Sequence, residues 1–322
     1  MSPLARTPRA EADLEFASIC TSLCVLLATS FVFTSISSQA ETHCPGNVAG
    51  LRPRIVARAL IVIPVKINNV GPFDFIVDTG SQITVIDPAL ASELRLKLMG
   101  SAGLVSVSGI AQASVGVLDL IEADKHAVKK AYVMVQDLGA IREADAHIRG
   151  VLGLNFLSHF GLLIDYRHDL LCLDETGGLQ DSVHGEHIAL VSSRKPGGEL
   201  PFTERLVVAV RLSGIGQREI RLQLDSGSDG SILYADNSEL EQLLKRAKLQ
   251  GPEVGDARRA FAVLPLQDMN LGSRIVRKVP FVTPANRSQK VPDREEDGIL
   301  PTVLFQCVFV SHSDHFVIFD PR

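Results

Sequence analysis

From about residue 54 to the end, the chain alternates short apolar runs with turns made of glycine, asparagine and charge. IVARALIVIPVKI (Ile55 to Ile67) is followed by a turn at Asn68-Asn69 and then by FDFI (Phe73 to Ile76) and ITVI (Ile83 to Ile86). Runs of this length, rich in β-branched residues and bounded by turn formers, predict strands. Asp87-Pro88 predicts the start of a short surface helix over Pro88 to Leu98, with proline early and Leu94 on one face. ASVGVLDLIEADKHAVKKAYVMVQDL reads as a hairpin, with His126 and the charges beside it in its solvated turn. Gly150 to Tyr166 predicts a buried strand, a short helix at Asn155 to Phe160 and the closing strand LLIDY, after which Asp165 is a turn carboxylate.

The same order of patterns then returns. RLVVAVRL (Arg205 to Leu212), a turn at Ser213-Gly214 and a strand up to Asp225 precede a helix predicted over Ser238 to Leu249. Leu240, Leu243 and Leu244 lie on one face of that helix, and KRAK on its wet side. LGSRIVRKVPFV is a second hairpin, PDREED (Pro292 to Asp297) a charged loop, and FVIFDP the close. The correspondence is close in detail. PVKINNVG and AVRLSGIG precede VDTGS (Val77 to Ser81) and LDSGS (Leu224 to Ser228), and GVLGLNFL and GILPTVLF follow them. Asp78 stands 72 residues before Gly150, and Asp225 stands 73 before Gly298. Two copies of one structural element are the simplest account.

Each copy places an aspartate at a strand tip, followed by a hydroxyl residue and a glycine. Two carboxyl groups about 3 Å apart cannot both ionise, so they share a proton; one then serves as base towards a water and the other as acid towards a carbonyl. Asp78 and Asp225 are the candidate catalytic pair. Thr79, Gly80 and Ser81, with Ser226, Gly227 and Ser228, are the candidate active-site and substrate-binding turns. Glycine lets backbone approach a carboxylate, and the Thr79 and Ser226 hydroxyls can bond across the pair.

With these turns, and with GVLGLNFLSHFGLLIDY and DGILPTVLFQCVFVSHSDHFVIFDP closing the two halves, the chain resembles the retropepsin-like aspartic proteases. It is most similar to bacterial secreted members carrying two such units. The resemblance runs from about residue 50 to the end. It implies a mainly β fold, with two tandem retropepsin-like β-barrel domains (50–175 and 201–322, joined by a linker at 176–200) forming a pepsin-like pseudo-dimer. It also implies an aspartic endopeptidase acting on a peptide or protein substrate, with no cofactor and no metal. The flap that closes over substrate corresponds to SAGLVSVSGIAQASVGVLDL (Ser101 to Leu120), and the second half has no clean equivalent. Pro301 stands where the first half has Gly153, predicting a different arrangement behind the second turn. The competing reading is a catalytically weak, protease-shaped protein that binds peptides. A third has like halves pairing between chains, against which the survival of both aspartates in one chain favours a monomer.

Composition alters little of this. Acidic residues outnumber basic ones 37 to 32 and the basic residues are scattered, so nucleic acid is not an expected partner. The first forty residues are of another kind. Arg6 and Arg9 precede the apolar stretch Ile19 to Ile36, which ends near small residues at Ser38 and Ala40. This predicts a signal peptide over 1–40 and export, to the periplasm or outside the cell. Glu11, Asp13 and Glu15 dilute its positive charge and leave an uncleaved membrane anchor as the alternative. Beyond that segment, Cys44, Cys172 and Cys307 are widely spaced, which points to neither a disulfide framework nor a metal site. Cys172 and Cys307, in apolar runs, are expected as buried small hydrophobes and Cys44 as free. His184 and His187, like His312 and His315, lie three apart without a helical pattern, so neither pair is expected to hold a metal.

Overall fold

The computed structural model describes residues 43–106, 109–192, 201–234, 243, 245, 248–250, 261–284 and 294–321. The predicted signal segment and most of the predicted helix at Ser238 to Leu249 lie outside them. Among the described residues no helix is long and apolar enough to cross a membrane. The chain from Thr42 to Arg322 forms one compact unit.

The fold is mainly β and is built on three sheets. In the first half, the hairpin Leu60–Ile67 and Val70–Val77 pairs in parallel with Ile148–Leu152, which runs antiparallel to Thr84–Ile86. Thr84–Ile86 in turn pairs in parallel with His126–Val135, which leads to Gly109–Ala123 and Leu98–Ser106. The second half repeats the scheme with Val207–Leu212, Glu219–Asp225, Gly298–Pro301, Ser231–Leu233 and Phe281–Pro284. Register repeats too: Val77 lies opposite Leu152 as Leu224 lies opposite Leu300. The long strands Gly109–Ala123 and His126–Val135 have only broken counterparts, Phe261–Val263 with Gln267–Leu271, and Arg274–Val279 with Phe281–Pro284. Pro265 and Pro280 fall at the breaks, where a residue without an N–H cannot continue a ladder.

The third sheet joins the halves. Its order is Gly50–Leu51, Leu170–Asp174, Gly161–Asp165, Cys307–Ser311, Phe316–Phe319 and Ile188–Ala189, so each half gives three strands. Across the middle, Leu162, Leu163 and Ile164 face Val310, Phe309 and Val308. Side chains alternate between faces, which explains why these runs are apolar throughout. Leu162, Ile164, Val308 and Val310 join the main core, while Leu163 and Phe309 join a second cluster on the other face with Leu170, Cys172, Phe316 and Ile318. Burying each large aliphatic or aromatic side chain stabilises by about 1.5–3 kcal/mol.

Several expectations are corrected here. Cys44 and Cys172 form a disulfide across 128 residues, with Cα atoms 6.0 Å apart. Spacing was silent because the arm folds back: Gly46 adopts φ 70°, and a Cβ there would lie 2.3 Å from the Gly178 carbonyl oxygen. Cys44 and Val48 thereby cover the second cluster. Cys307 is free and half-buried, its thiol pushed up to about 12 by burial. In the linker at 176–200 a strand is found within HIALVSS (187–193), where the sequence pattern suggests one, Ile188–Ala189 pairing with Phe316–Phe319; the short helix Gly178–Ser182 is unexpected. The helix predicted to Leu98 ends at Glu93, where Arg95 takes φ 50°, and Leu98 opens the next strand. The helix predicted at Asn155 to Phe160 spans Leu154–Leu157. His126 is buried, not solvated: its ring stands edge-on to Phe160 with centroids 4.9 Å apart, and Nδ1 lies 3.3 Å from Glu175.

Removing the Cys44–Cys172 bond, by Cys44→Ser or by reductant, is expected to cost about 2–4 kcal/mol. Thermal unfolding with and without reductant checks this: the wild-type Tm should fall by several degrees, and the Cys44→Ser Tm should not respond.

Candidate active site

Asp78 follows Val77 at the tip of its strand, with its N–H donating to the Leu152 carbonyl at 3.0 Å. The turn then folds back on the carboxylate, whose Oδ1 accepts from the N–H groups of Gly80 at 2.8 Å and Ser81 at 3.2 Å. Asp225 Oδ1 accepts from the Gly227 N–H at 2.7 Å. Each serine hydroxyl closes its own turn, Ser81 to the Ile83 carbonyl at 2.8 Å and Ser228 to the Gly230 carbonyl at 2.9 Å.

The two turns meet face to face. Thr79 N–H donates to Ser226 Oγ, and Ser226 N–H to Thr79 Oγ1, each at 3.0 Å. The hydroxyls pass their own protons on, Thr79 to the Leu224 carbonyl at 3.0 Å and Ser226 to the Val77 carbonyl at 2.8 Å. Both residues are fully buried. Serine does the work of threonine here because only the hydroxyl is used. Gln223 adds a fifth bond across the halves, from its side-chain amide to the Gly80 carbonyl at 2.6 Å.

The glycines are required by contact. A Cβ on Gly80 would lie 2.4 Å from the carboxyl carbon of Asp225, and one on Gly227 would lie 2.6 Å from that of Asp78. Each turn's backbone is thus pressed against the opposite carboxyl group, and the two carboxyls hydrogen-bond to each other. Burial pushes the Asp78 carboxyl above its ordinary range. Asp225 is pushed well above it, first by burial and then by the charge of Asp78. The pair can therefore hold one proton where isolated carboxylates would hold none. All eight residues singled out in the two turns lie in this one cluster.

Behind the turns the halves differ, as the Pro301 position predicts. Gly153 admits the Ser81 and Ile83 backbone at a distance a Cβ would reduce to 2.7–2.8 Å, and opens the helix Leu154–Leu157. Asn155 there accepts from the Thr84 N–H and hydroxyl, both at 2.8 Å, and donates to the Tyr132 carbonyl at 2.7 Å. In the second half Pro301 leads into a short 3-10 turn, Thr302–Leu304, with Val303 in the place of Asn155. Ser231, the counterpart of Thr84, has a buried hydroxyl with no hydrogen-bond partner among the described residues. Thr302 instead bonds the Tyr166 hydroxyl at 2.6 Å, across the halves. Sequence reasoning missed Asn155, Gln223, Tyr166 and Thr302. Their one available signal was placement at or beside strand ends next to the repeated motifs.

The flap segment pairs Leu98–Ser106 antiparallel with Gly109–Ala123, from Ser106 opposite Gly109 to Leu98 opposite Gly116, with a bulge between Leu98 and Gly100. Ala102 and Ala113 from it pack with Ile83 and Val85, just past the Asp78 turn. The second half does have strands in the corresponding place, Lys248–Gln250 and Phe261–Val263, paired antiparallel. The charged loop before Gly298 is partly folded in: Glu296 is buried against Arg205 at 2.9 Å, and the Arg294 guanidinium stacks 3.7 Å from the centre of the Tyr234 ring.

Residues 63–156 match the family model described as aspartyl protease. Among solved structures, the chain is similar to a retropepsin-like aspartic protease from Rickettsia conorii, at 26% identity and a TM-score of 0.30, covering 39% of this chain and 90% of that one. No curated protein matches. The matched stretch contains the whole Asp78 turn and the strands around it, and it is this part of the chain that is similar to the aspartyl proteases.

Proposed function

We propose that this chain is an aspartic endopeptidase whose single site forms between its two halves. The observation that carries the reading is the reciprocal seating of the two turns, with Gly80 against Asp225, Gly227 against Asp78, and the carboxyls bonded to each other. A pair in that state holds one proton. The ionised member takes a proton from a water as it attacks the peptide carbonyl, and the protonated member gives its proton to the carbonyl oxygen. The aspartate that took the water's proton then gives it to the leaving nitrogen while the other takes a proton from a gem-diol hydroxyl. The C–N bond breaks to give acid and amine, and the pair again holds one proton. No covalent enzyme intermediate is involved. An extended peptide fits between the flap hairpin and the dyad as the substrate.

The same reading places the mature protein in the periplasm or outside the cell. The apolar segment Ile19 to Ile36 supports export, and a disulfide such as Cys44–Cys172 persists in oxidising compartments.

Two outcomes follow from the dyad. Asp78→Asn should lower peptide cleavage by about 10²–10⁴-fold with the fold intact by circular dichroism; wild-type activity should be bell-shaped in pH, with its optimum on the acid side, because the working state has one proton for two carboxyls. Retained cleavage in the variant would remove Asp78 from the mechanism.

Stability supplies the other. An aspartate whose folded pKa is raised binds more protons folded than unfolded, so its contribution is favourable in acid and is lost as pH rises through the folded value. Asp225→Asn should therefore raise the Tm at pH 7 while abolishing cleavage, and the gain over wild type should shrink towards pH 4. A Tm that falls at both pH values would contradict the raised carboxyl.

A further inference from the structure

Residues Pro201 to Leu206 connect the joining sheet to the second half, and they pass close to the first half's catalytic turn. The Leu206 carbonyl accepts from the Leu224 N–H at 2.7 Å, directly before Asp225. Three residues earlier, the Thr203 carbonyl accepts from the side-chain amide of Gln82 at 2.6 Å. Gln82 directly follows the Val77 to Ser81 turn. Just before the first of these anchors, Phe202 packs against a buried cluster that includes Ile83 and Val85 from the strand after that turn, Met134 and Val151 from the strands beside it, and Ala113 from the flap hairpin, with Ala102 also at its edge.

That cluster lies on the face of the first sheet turned away from the main core. Val85, Met134 and Val151 are neighbours in register on it, while Ile86, Val133 and Leu152, one residue further along the same strands, point into the core. Ala102 and Ala113 of the flap hairpin and Ile83 and Val85 of the strand leaving the dyad contribute to it, and with Phe202 lifted away this face would be an apolar recess. Under the protease reading, this is where a substrate side chain beside the scissile bond would rest. An amide donor next to the recess is what an extended peptide backbone needs for alignment. The Pro201–Arg205 segment supplies both complements: an aromatic side chain for the recess and a backbone carbonyl for Gln82. Asp78 and Asp225 are meanwhile bonded to their own turns and to each other, so the segment lies beside the dyad without laying a peptide bond across it.

We propose that Phe202 and Thr203 are a built-in occupant of a substrate subsite, holding the cleft partly closed by competition. The inference rests on the protease reading for the identity of the site. It commits the recess to a large apolar, preferably aromatic, side chain followed by a residue whose carbonyl meets Gln82. It also makes the free enzyme self-inhibited, since a peptide must displace Phe202 before it binds, and its apparent affinity is reduced by the fraction of molecules in which the recess is open.

The test uses the mature chain, residues 41–322, as wild type and as Phe202→Ala. Two readouts are taken: kcat and KM on a peptide carrying phenylalanine near the cut, and the dissociation constant of pepstatin by calorimetry. Loss of the occupant should lower KM and the pepstatin constant together by about 10-fold, taking an open fraction near one in ten, with kcat nearly unchanged. If Phe202 is structural glue between the halves, both constants rise or kcat collapses, and the inference is overturned. If neither protein cleaves but Phe202→Ala binds pepstatin more tightly, the occupant stands and the protease reading fails. If both cleave with equal constants, the protease reading stands and the occupant does not. Should Phe202→Ala not fold, hydrogen exchange on wild type decides. Saturating pepstatin should speed exchange at the amides of Phe202 to Arg205 as the segment leaves, whereas unchanged or slower exchange there overturns the proposal.

Discussion

Holding two carboxyl groups in contact is the constraint on which the rest of this molecule depends. Left to themselves, two ionised aspartates repel and hydrate separately; here each is bound by its own turn and pressed by a glycine of the other. The force keeping them there is supplied mainly by neutral groups. Thr79 and Ser226 exchange two backbone-to-hydroxyl bonds and two hydroxyl-to-carbonyl bonds in a fully buried setting. Each such bond contributes a net of about 0.5–1.5 kcal/mol, but stranding one buried partner costs about 1–3 kcal/mol, so the four act as a unit. The joining sheet provides a second brace at the level of whole strands, through Leu163 against Phe309 and its neighbours. Hydrophobic burial sets the approximate position of the halves, and the hydroxyl network sets the dyad within it.

Duplication explains the layout, and departures from it mark where each half has been adjusted. The first half carries a continuous flap sheet and an asparagine that ties Thr84, Tyr132 and the turn together. The second half has lost that asparagine, leaves Ser231 unpaired among the described residues, and breaks its long strands at Pro265 and Pro280. Its Thr302 is spent instead on Tyr166 of the first half. The first half therefore has the better-braced turn, while the second gives its Thr302 to a contact between the halves. Both carboxyls are raised above their ordinary range by burial, so the pair can hold a proton where isolated carboxylates would hold none.

What the sequence revealed, and what it hid, follow from the range of the interactions involved. Asp78 and Asp225 were legible because the turn chemistry is local and appears twice. The strands flanking them were legible because β-branched runs and turn residues alternate at short range. The Cys44–Cys172 bond was not, since it joins residues 128 apart through a backbone reversal at Gly46 that spacing cannot express. His126 looked solvated because its neighbours are charged, yet the hairpin delivers it onto Phe160. The helix expected to reach Leu98 stopped at Glu93 because the flap strand claims Leu98 for pairing. Asn155 and Gln223 are single polar residues in apolar surroundings, and only the assembled turns give them partners.

The segment between the halves also braces them. Read from composition, 176–200 is a linker; in the fold, Ile188–Ala189 completes the joining sheet as Gly50–Leu51 does on the other edge, so each half is preceded by its own edge strand. The chain then has to travel from that sheet to the start of Val207–Leu212, and its final residues run past the Asp78 turn. A two-chain assembly of identical halves would need no such crossing. Fusing the halves thus brings a connecting segment of the chain, through Phe202 and Thr203, against the strand and the Gln82 amide that follow the Asp78 turn.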